Sequence, residues 1–296
     1  MNYEIKNNFI KAKIKTLGAE LNSLKKISEK RKNEELEYLW QGDFKYWNRS
    51  SPILFPIVGR LKNDTYTYKN KKYNMNQHGF ARDKEFEIVK QEIDFIEFRL
   101  KNNEETLEIY PFLFELYISY KVENSKLIIS YKVVNKNQDK MLFSIGAHPA
   151  FNLPITQDSN ERKEDYFLEF ENIKETKRYF LNDLGLVYKN ENLEINDNKI
   201  FINEELFKED ALVFNDTNIK TLSLKNTKNN RFIKVDFENF SYLGIWSKPS
   251  GAPFICIEPW FGLADEQNSN QKLEDKRGIV SLEKKEVFSC FYSIEI

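Results

Sequence analysis

The stretch Phe114-Glu-Leu-Tyr-Ile-Ser-Tyr-Lys-Val122 decides the fold class of this chain. Apolar residues occupy every second position in it, and charged or polar residues mostly fill the gaps, as in a strand with one buried face. The polar turn Glu123 to Lys126 follows, and Leu127 to Val133 then repeat the alternation. Two alternating runs joined by a short polar turn predict an antiparallel β-hairpin.

The same signal recurs along the chain, whereas helical spacing is weak. Alternation returns at Phe288 to Ile294, and shorter β-rich runs occur at Tyr66 to Tyr73, Ile93 to Leu100, Thr221 to Leu224, Phe232 to Phe237 and Tyr242 to Trp246. Only Asn203 to Phe207 and Lys272 to Lys276 are interpreted as short helical turns, and the charge-dense run Lys25 to Glu37 as a solvated loop between strands. With no repeat or Pro/Gly/Ser linker, we expect one all-β domain, a β-sandwich, over residues 1–296.

Composition narrows the function classes. The chain has 296 residues, of which 41% are hydrophobic and 15% aromatic, so a sizeable core can form and a disordered chain is excluded. Its 45 basic and 46 acidic residues nearly cancel, which leaves no net field to hold nucleic acid or an anionic membrane. No apolar run approaches the roughly 20 residues of a membrane helix, and the first residues lack a signal-peptide core. We therefore expect a soluble, cytoplasmic protein with neither nucleic acid nor a membrane as a partner.

Cysteine and histidine are scarce. Cys256 and Cys290 are too few for a multi-cysteine metal site, although the sequence alone leaves one disulfide open. The chain contains only two histidines, so any imidazole chemistry falls on His78 or His148.

Four segments break the strand pattern in a way that strands alone do not require. Each sets a polar or ionisable group among glycine, proline and aromatic residues, a composition typical of a fixed backbone around a shaped pocket. They are Ser51-Pro-Ile-Leu-Phe-Pro-Ile-Val-Gly-Arg60, Asn76-Gln-His-Gly-Phe-Ala-Arg82, Ile145-Gly-Ala-His-Pro-Ala-Phe-Asn152 and Cys256-Ile-Glu-Pro-Trp-Phe-Gly262.

The two histidines lie in two of these segments. His148 precedes Pro149, whose ring biases the histidine backbone toward extended geometry. A lone histidine of this kind is often an ordinary hydrogen-bonded core residue, and the same holds for His78. Because a third segment carries Glu258, the grouping favours a shared site.

Glu258 is interpreted as a carboxylate at the end of a buried strand, within Phe254-Ile-Cys-Ile-Glu-Pro-Trp260. Burial tends to raise the pKa of a carboxyl toward the range useful for general-base work, although an internal salt bridge is the alternative. Arg60, preceded by Gly59, can offer planar donors to sugar hydroxyls or to a carboxylate, or it can form an orienting salt bridge.

Aromatic rings in and near these segments are candidates for apolar walls against the C–H faces of a sugar ring, although most rings in so aromatic a protein belong to the core. The candidates are Phe80, Phe151, Trp246 and Trp260.

Taken in order, four motifs resemble the aldose 1-epimerase (mutarotase) family, and more narrowly its LacX-type branch. They are Phe55-Pro-Ile-Val-Gly-Arg60, Gln77-His-Gly-Phe80, Gly146-Ala-His-Pro-Ala-Phe-Asn152 and Cys256-Ile-Glu-Pro-Trp260. The likeness starts at Ala19-Glu-Leu-Asn-Ser-Leu24 and reaches the final strand, so it covers nearly the whole chain. It implies the large antiparallel β-sandwich of the galactose mutarotases.

The resemblance also implies a mechanism. Glu258 would be the general base for the anomeric hydroxyl and His148 the general acid for the ring oxygen, so that the pyranose opens to an aldehyde, rotates and recloses. His78 and Arg60 match positions that bind and orient the sugar, and Trp246 is expected to contact it as well. No cofactor and no metal are required, and the expected partner is an aldose or a sugar phosphate, bound by a monomer or homodimer.

Departures from the family pattern leave the sugar itself open. Gly59 stands where classical galactose mutarotases have an Asn before the matching arginine. The family also has an Asp between the second histidine and the Glu, a role expected of Asp210, with Asp216 as the alternative. Relatives in the broader superfamily act on hexose 6-phosphates, for which Arg82 or Lys248 could supply positive charge.

Three other readings compete with a mutarotase. Two histidines and one carboxylate can hold iron as in non-haem oxygenases, but this chain has no closely spaced histidine pair. A non-catalytic carbohydrate-binding protein is disfavoured by the presence of both His148 and Glu258. A glycosidase needs two carboxylates that flank the scissile bond, and only Glu258 lies in a convincing setting.

Overall fold

The structure, a computed structural model, describes residues 1–28, 35–156, 160–171, 173–215, 218–249 and 251–296. Strands dominate these ranges, as predicted. They are β1 (Asn2–Lys6), β2 (Ile10–Lys15), β3 (Glu20–Ile27), β4 (Glu35–Glu37), β5 (Ile53–Leu54), β6 (Thr65–Tyr68), β7 (Lys71–Asn74), β8 (Glu87–Gln91), β9 (Phe95–Lys101), β10 (Phe114–Glu123), β11 (Lys126–Asn135), β12 (Met141–Phe143), β13 (Ile145–Ala147), β14 (Ala150–Asn152), β15 (Tyr166–Phe170), β16 (Glu175–Leu181), β17 (Val187–Glu194), β18 (Lys199–Phe201), β19 (Leu212–Phe214), β20 (Thr221–Asn226), β21 (Phe232–Asp236), β22 (Tyr242–Trp246), β23 (Phe254–Phe261), β24 (Val280–Leu282) and β25 (Val287–Glu295).

The predicted hairpin is confirmed. Strands β10 and β11 pair antiparallel over their full length, from Phe114 opposite Asn135 to Glu123 opposite Lys126. The two residues between the strands make the turn, and Asn124 has a φ of 54°, in the left-handed region that such tight turns need. The alternating apolar side chains of both strands, such as Ile118 and Ile129, are fully buried.

Helix is minor in the described ranges. The single α-helix, α1 (Glu104–Ile109), was not predicted, and it begins at Asn103, whose side chain accepts a hydrogen bond of 2.9 Å from the Thr106 N–H. The turn predicted near residue 274 is the 3₁₀ helix Leu273–Asp275, whereas residues 203–207 form non-helical turns. The other 3₁₀ turns are Lys62–Asp64, Ala81–Asp83, Lys163–Asp165 and Asn196–Asn198. No helix in the described part of the chain has the length and apolarity to cross a bilayer.

Two large antiparallel sheets pack into a sandwich. One has nine strands in the order β18-β15-β20-β21-β25-β11-β10-β9-β8, and the other has the order β17-β16-β19-β22-β23-β13-β5, with β14 also paired to β23. Leu116 and Ile129 from the first sheet and Ile255 and Ile257 from the second belong to one buried cluster, so the core lies between the sheets. This confirms the predicted all-β sandwich.

Smaller sheets complete the fold. Strands β1 to β4 form a four-stranded sheet at the start of the chain, and β6 pairs with β7 as a hairpin within the run predicted as a single β-rich stretch. The run interpreted as a loop, Lys25 to Glu37, instead begins with the end of β3 and ends with β4, while residues 29–34 lie outside the described ranges.

Candidate active site

The site lies on one face of the eight-stranded sheet because β23 turns alternate side chains to opposite faces. Ile255 and Ile257 face the core between the sheets, so Glu258 and Trp260 share the alternation of the opposite, outer face. The sequence predicted Glu258 at the end of a strand, but the structure places it inside one. Strand β23 continues to Phe261 and pairs with both β22 and β13.

A cavity of about 310 Å³ lies over this outer face. Its volume is at the lower end of the range of about 300–1,000 Å³ that is usual for small-molecule sites. Five of the six predicted site residues line it: His78, His148, Asp210, Trp246 and Glu258. The rest of the lining comprises Trp47, Gly59, Gln77, Arg82, Leu181, Gly185, Val187, Ala211, Val213, Trp260, Leu263 and Ala264.

His148 and Glu258 are the central pair. Nε2 of His148 lies 3.2 Å from Oε2 of Glu258, and the two residues are 8% and 1% exposed. The contact lacks hydrogen-bond alignment, so Oε2 of Glu258 is buried without a hydrogen-bond partner, as is Nδ1 of His148. Buried polar atoms in this state are costly, which is typical of groups that await a ligand.

Burial sets the protonation of this pair. It raises the pKa of the Glu258 carboxyl well above its usual range, and the Asp210 carboxylate raises that pKa further. Burial also lowers the pKa of His148 to about 3, with the Arg82 cation acting in the same direction. Both shifts favour the uncharged forms, a protonated carboxyl and a neutral imidazole that share one proton between them.

His78 is fixed as a hydrogen-bond donor. Its Nδ1 accepts a hydrogen bond of 3.2 Å from the Gly59 N–H, while the backbone N–H of His78 donates to the Gly59 carbonyl at 2.9 Å. Burial, with the neighbouring His148 ring, lowers the pKa of His78 well below its usual range, so the ring is neutral. A neutral imidazole that accepts at Nδ1 carries its proton on Nε2, which leaves one N–H for a ligand oxygen.

Aromatic rings frame His148. Trp47 stacks on it at 4.8 Å between ring centroids, and Trp246 meets it edge-on at 5.8 Å. Trp47 was not predicted from the sequence, although a partly exposed tryptophan offers an apolar face and one N–H donor to a ligand. Phe80 and Phe151, two of the predicted wall residues, lie instead in the sandwich core.

Trp260 lines the cavity because two glycines make room for its indole. A Cβ on Gly146 would lie 2.5 Å from Cδ1 of Trp260, and a Cβ on Gly244 would lie 2.4 Å from Cη2. These glycines belong to β13 and β22, the strands on either side of β23. The indole therefore rests against bare backbone on both sides, and its Nε1 donates to the Ala147 carbonyl at 3.2 Å.

The acidic candidate Asp210 reaches the cavity. Its φ is 63°, and its Oδ1 accepts a hydrogen bond of 2.9 Å from the Ala211 N–H. The alternative, Asp216, lies outside the described residues. Lys248, considered for a phosphate, donates to the Tyr46 carbonyl at 3.1 Å and is not part of the cavity lining.

Arg60 is the predicted site residue that the structure does not bring into the cavity. Its Nε and Nη2 donate to the two carboxylate oxygens of Asp64, each at 2.9 Å, which is the salt bridge that the sequence left open as an alternative. The preceding Gly59 has a φ of 73°, and a Cβ there would lie 2.4 Å from the Ala264 nitrogen. An Asn, which classical galactose mutarotases are expected to have here, does not fit this backbone.

One group of metal-binding side chains comes together among the described residues: His148, Cys256 and Glu258, with ligand atoms within 4.8 Å of one another. It differs from the iron site considered above, because Cys256 takes the place of the second histidine. Burial, followed by the Glu258 carboxyl, raises the pKa of the Cys256 thiol well above its usual range, which keeps it protonated and makes it a poor ligand. Cys256 and Cys290 are both free thiols.

Comparisons with known proteins agree with this architecture. A family model described as aldose 1-epimerase matches residues 1–276. The plasmid protein LacX of Lactococcus lactis subsp. lactis is 34% identical over 285 residues, which are 93% of each chain.

Solved structures are similar over the whole chain. A galactose mutarotase related enzyme from Lactobacillus acidophilus has a TM-score of 0.94 and 38% identity, and covers 100% of this chain and 97% of its own. A galactose mutarotase-like protein from Lactobacillus casei ATCC 334 has a TM-score of 0.89 and 31% identity, with 100% and 99% covered. The sandwich is thus of the galactose mutarotase-like type, and the chain belongs to the aldose 1-epimerase family, in its LacX-type branch.

Proposed function

We propose that the protein is a cofactor-independent mutarotase that interconverts the α and β anomers of an aldose. The observation that carries the proposal is the 3.2 Å separation of His148 Nε2 and Glu258 Oε2 inside the cavity. Ring opening removes a proton from the anomeric hydroxyl and adds one to the ring oxygen. Both oxygens are bonded to the same carbon, so the base and the acid that serve them must be neighbours.

In this proposal Glu258 is the general base and His148 the general acid. Glu258 takes the proton of the anomeric hydroxyl while Nε2 of His148 protonates the ring oxygen, and the C1–O5 bond breaks as the C1–O1 bond becomes a carbonyl. After rotation about C1–C2, the roles reverse: His148 takes the proton of the C5 hydroxyl, and Glu258 returns one to the carbonyl oxygen. The pair ends each cycle with the single proton that it began with.

The protonation state of the cavity supports this scheme. The raised pKa of Glu258 and the lowered pKa of His148 put the proton on Glu258, which is the form that the pair has once the ring is open. Moving the proton across the 3.2 Å gap to His148 produces the form that opens the ring. The second form is an ion pair, and the attraction between its two charges offsets part of the cost of burying them.

The chemistry needs no electron transfer, because the aldehyde and the hemiacetal have the same oxidation state. Binding residues are assigned accordingly. His78 donates its Nε2–H to a sugar oxygen, Asp210 accepts from hydroxyls, and Trp246 supplies an apolar contact for the ring. Of the reactions open to the family, anomer exchange is the one that two adjacent proton carriers support best.

The test is an assay of anomer exchange by NMR saturation transfer, or by polarimetry, over glucose, galactose and their 6-phosphates. Acceleration for at least one sugar is expected. Sugar binding without acceleration of any of the four would refute the proposal and identify a non-catalytic carbohydrate-binding protein. Acceleration restricted to the 6-phosphates would keep the mechanism and restrict the substrate to sugar phosphates.

A further inference from the structure

Two arginines stand near the wall made by Gly59 and His78, and only one lines the cavity. The guanidinium of Arg60 is engaged by both carboxylate oxygens of Asp64. The side chain of Arg82 is part of the cavity lining and is 18% exposed. The family motif implies that Arg60 binds the sugar, whereas the arginine in the cavity lining is Arg82.

Some N–H groups of the Arg82 guanidinium donate to no residue in the described part of the chain. Its Nη2 donates to the Gln77 carbonyl at 2.7 Å, while its Nε is buried without a hydrogen-bond partner. The Asp83 carboxylate lies 3.9 Å from Nε, which is beyond hydrogen-bond distance. A guanidinium has five N–H donors. Nε is closed to a ligand in the cavity, but Nη1 donates to no described residue, so its N–H groups remain for a ligand oxygen.

The backbone holds Arg82 in place. It lies in the 3₁₀ turn Ala81–Asp83, directly after the His78-Gly79-Phe80 segment. Gly18 packs against this turn so closely that a Cβ on it would lie 2.7 Å from the Arg82 carbonyl oxygen, and the Gly18 N–H donates to Lys84 O at 2.8 Å. The backbone of this turn is therefore fixed, and the bond from Nη2 to the Gln77 carbonyl holds the guanidinium, which lowers the entropy cost of binding.

The charges around the cavity favour an uncharged ligand. The Arg82 cation is matched by the Asp210 carboxylate, and Arg49, the other cation that acts on both histidines, is paired with Asp83 at 2.6 Å. The pair of His148 and Glu258 favours its uncharged forms. A neutral polyhydroxylated ring can accept from Arg82 and donate to Asp210 at the same time. An anionic group would meet one attractive and one repulsive partner.

We propose that Arg82, rather than Arg60, is the arginine that binds the sugar, by donating from its guanidinium to hydroxyl oxygens of an uncharged aldose. The assignment rests on the proposed function for the identity of the ligand. Arg60 has its guanidinium engaged by Asp64, and its side chain is 41% exposed and lies outside the cavity lining.

The experiment compares Arg82→Gln with Arg60→Gln, the same substitution at the two arginines. Galactose and glucose are titrated against each protein by the quenching of tryptophan fluorescence, which Trp47 and Trp246 in the cavity will report. Because hydrogen bonds from a charged donor contribute more to binding than neutral ones, we expect Arg82→Gln to raise Kd and KM by about 10- to 100-fold. Arg60→Gln is expected to leave Kd within about twofold.

Two further measurements keep the result interpretable. Arg82→Lys retains the charge without the fork of donors, and it should recover part of the lost affinity while its thermal unfolding matches the wild type. Galactose 6-phosphate is titrated in parallel, and the fold-change on Arg82→Gln should be no greater than for galactose. A loss confined to the phosphorylated sugar would mean that Arg82 recognises a phosphate and would overturn the assignment.

Weaker binding in Arg60→Gln with unchanged binding in Arg82→Gln would also overturn it. Titration requires no turnover, so the two proposals fail separately. If the wild type binds sugar without exchanging its anomers, the proposed function is wrong and the Kd values still decide between the arginines. If the wild type binds none of these sugars, both proposals are wrong.

Discussion

Replacing Glu258 by Gln removes the proposed base with little change of shape. The side chain is 1% exposed, and its Oε2 has no hydrogen-bond partner to lose. An amide neither accepts the proton of the anomeric hydroxyl nor passes one to His148. The substitution therefore stops the proton cycle at its first step.

The size of the effect follows from the pKa of His148. With that pKa at about 3, only about one imidazole in 10⁴ is protonated at pH 7 when the carboxylate no longer supplies the proton. General acid–base groups contribute roughly 10²- to 10⁴-fold in rate. We expect kcat for anomer exchange to fall by about 10³- to 10⁴-fold, which corresponds to about 4–5.5 kcal/mol in the barrier.

Stability should not fall with activity. The folded-state pKa of Glu258 is above its unfolded value, so the folded protein binds more protons between the two values and its free energy of unfolding decreases as pH rises through them. Gln abolishes this decrease. The variant should match the wild type near pH 4.5 and be at least as stable at pH 8, as measured by urea denaturation.

The assay is NMR saturation transfer between the anomeric signals, with Glu20→Gln as a matched control. Glu20 is also fully buried, accepts from the N–H groups of Ser50 and Ser51 at 2.8 and 3.0 Å, and lies outside the cavity lining. Its variant should lose thermal stability and keep anomer exchange. A folded Glu258→Gln protein that retains more than a tenth of the wild-type kcat would refute the role of Glu258.

Three other predictions concern the same cavity. The pKa of His148 is about 3 in the folded protein and 6.5 in the unfolded chain, so between these values the folded protein binds fewer protons. Because of this group, the free energy of unfolding should decrease by about 2 kcal/mol from pH 7 to pH 5. In His148→Asn the decrease in the free energy of unfolding between pH 7 and pH 5 should be smaller, as measured by urea denaturation at both pH values. A decrease equal to that of the wild type would show that burial does not lower the pKa of His148. Asp210→Asn removes a carboxylate that raises the pKa of Glu258, so the alkaline limb of the kcat profile should move to lower pH; a limb that stays in place would show that Asp210 does not act on the pair. Gly146→Ala would set a Cβ 2.5 Å from the Trp260 ring, and we expect a loss of about 1–3 kcal/mol in unfolding and a higher KM, whereas wild-type values of both would mean that the indole moves freely.

Local pattern predicted much of the fold. The alternation from Phe114 to Val133 gave the hairpin β10–β11, because the period of two and the polar turn are both contained in about twenty residues. Helix α1 was missed because its six residues are held by one cap at Asn103 and not by an apolar stripe. Pairings between distant strands, such as β11 with β25, leave no comparable trace in either strand alone.

The residues of the candidate site were predicted mainly from sequence motifs and less from physical patterns such as hydrophobic periodicity. Composition marked the segments that carry His78, His148 and Glu258, and the family likeness joined them. Side-chain direction was not readable in the same way. Arg60 and Arg82 both end glycine-containing motifs. Asp64, four residues along the chain, engages the guanidinium of Arg60, while the turn that carries Arg82 packs against the distant Gly18.

The close packing of Gly59 against the backbone of Ala264 limits which residues can replace this glycine. A Cβ there would lie 2.4 Å from the Ala264 nitrogen, so a substitution at residue 59 alone cannot introduce the amide that classical galactose mutarotases are expected to carry. The neighbouring segment would first have to retreat. A change of sugar specificity in this chain is therefore expected to need substitutions at other positions of the cavity lining.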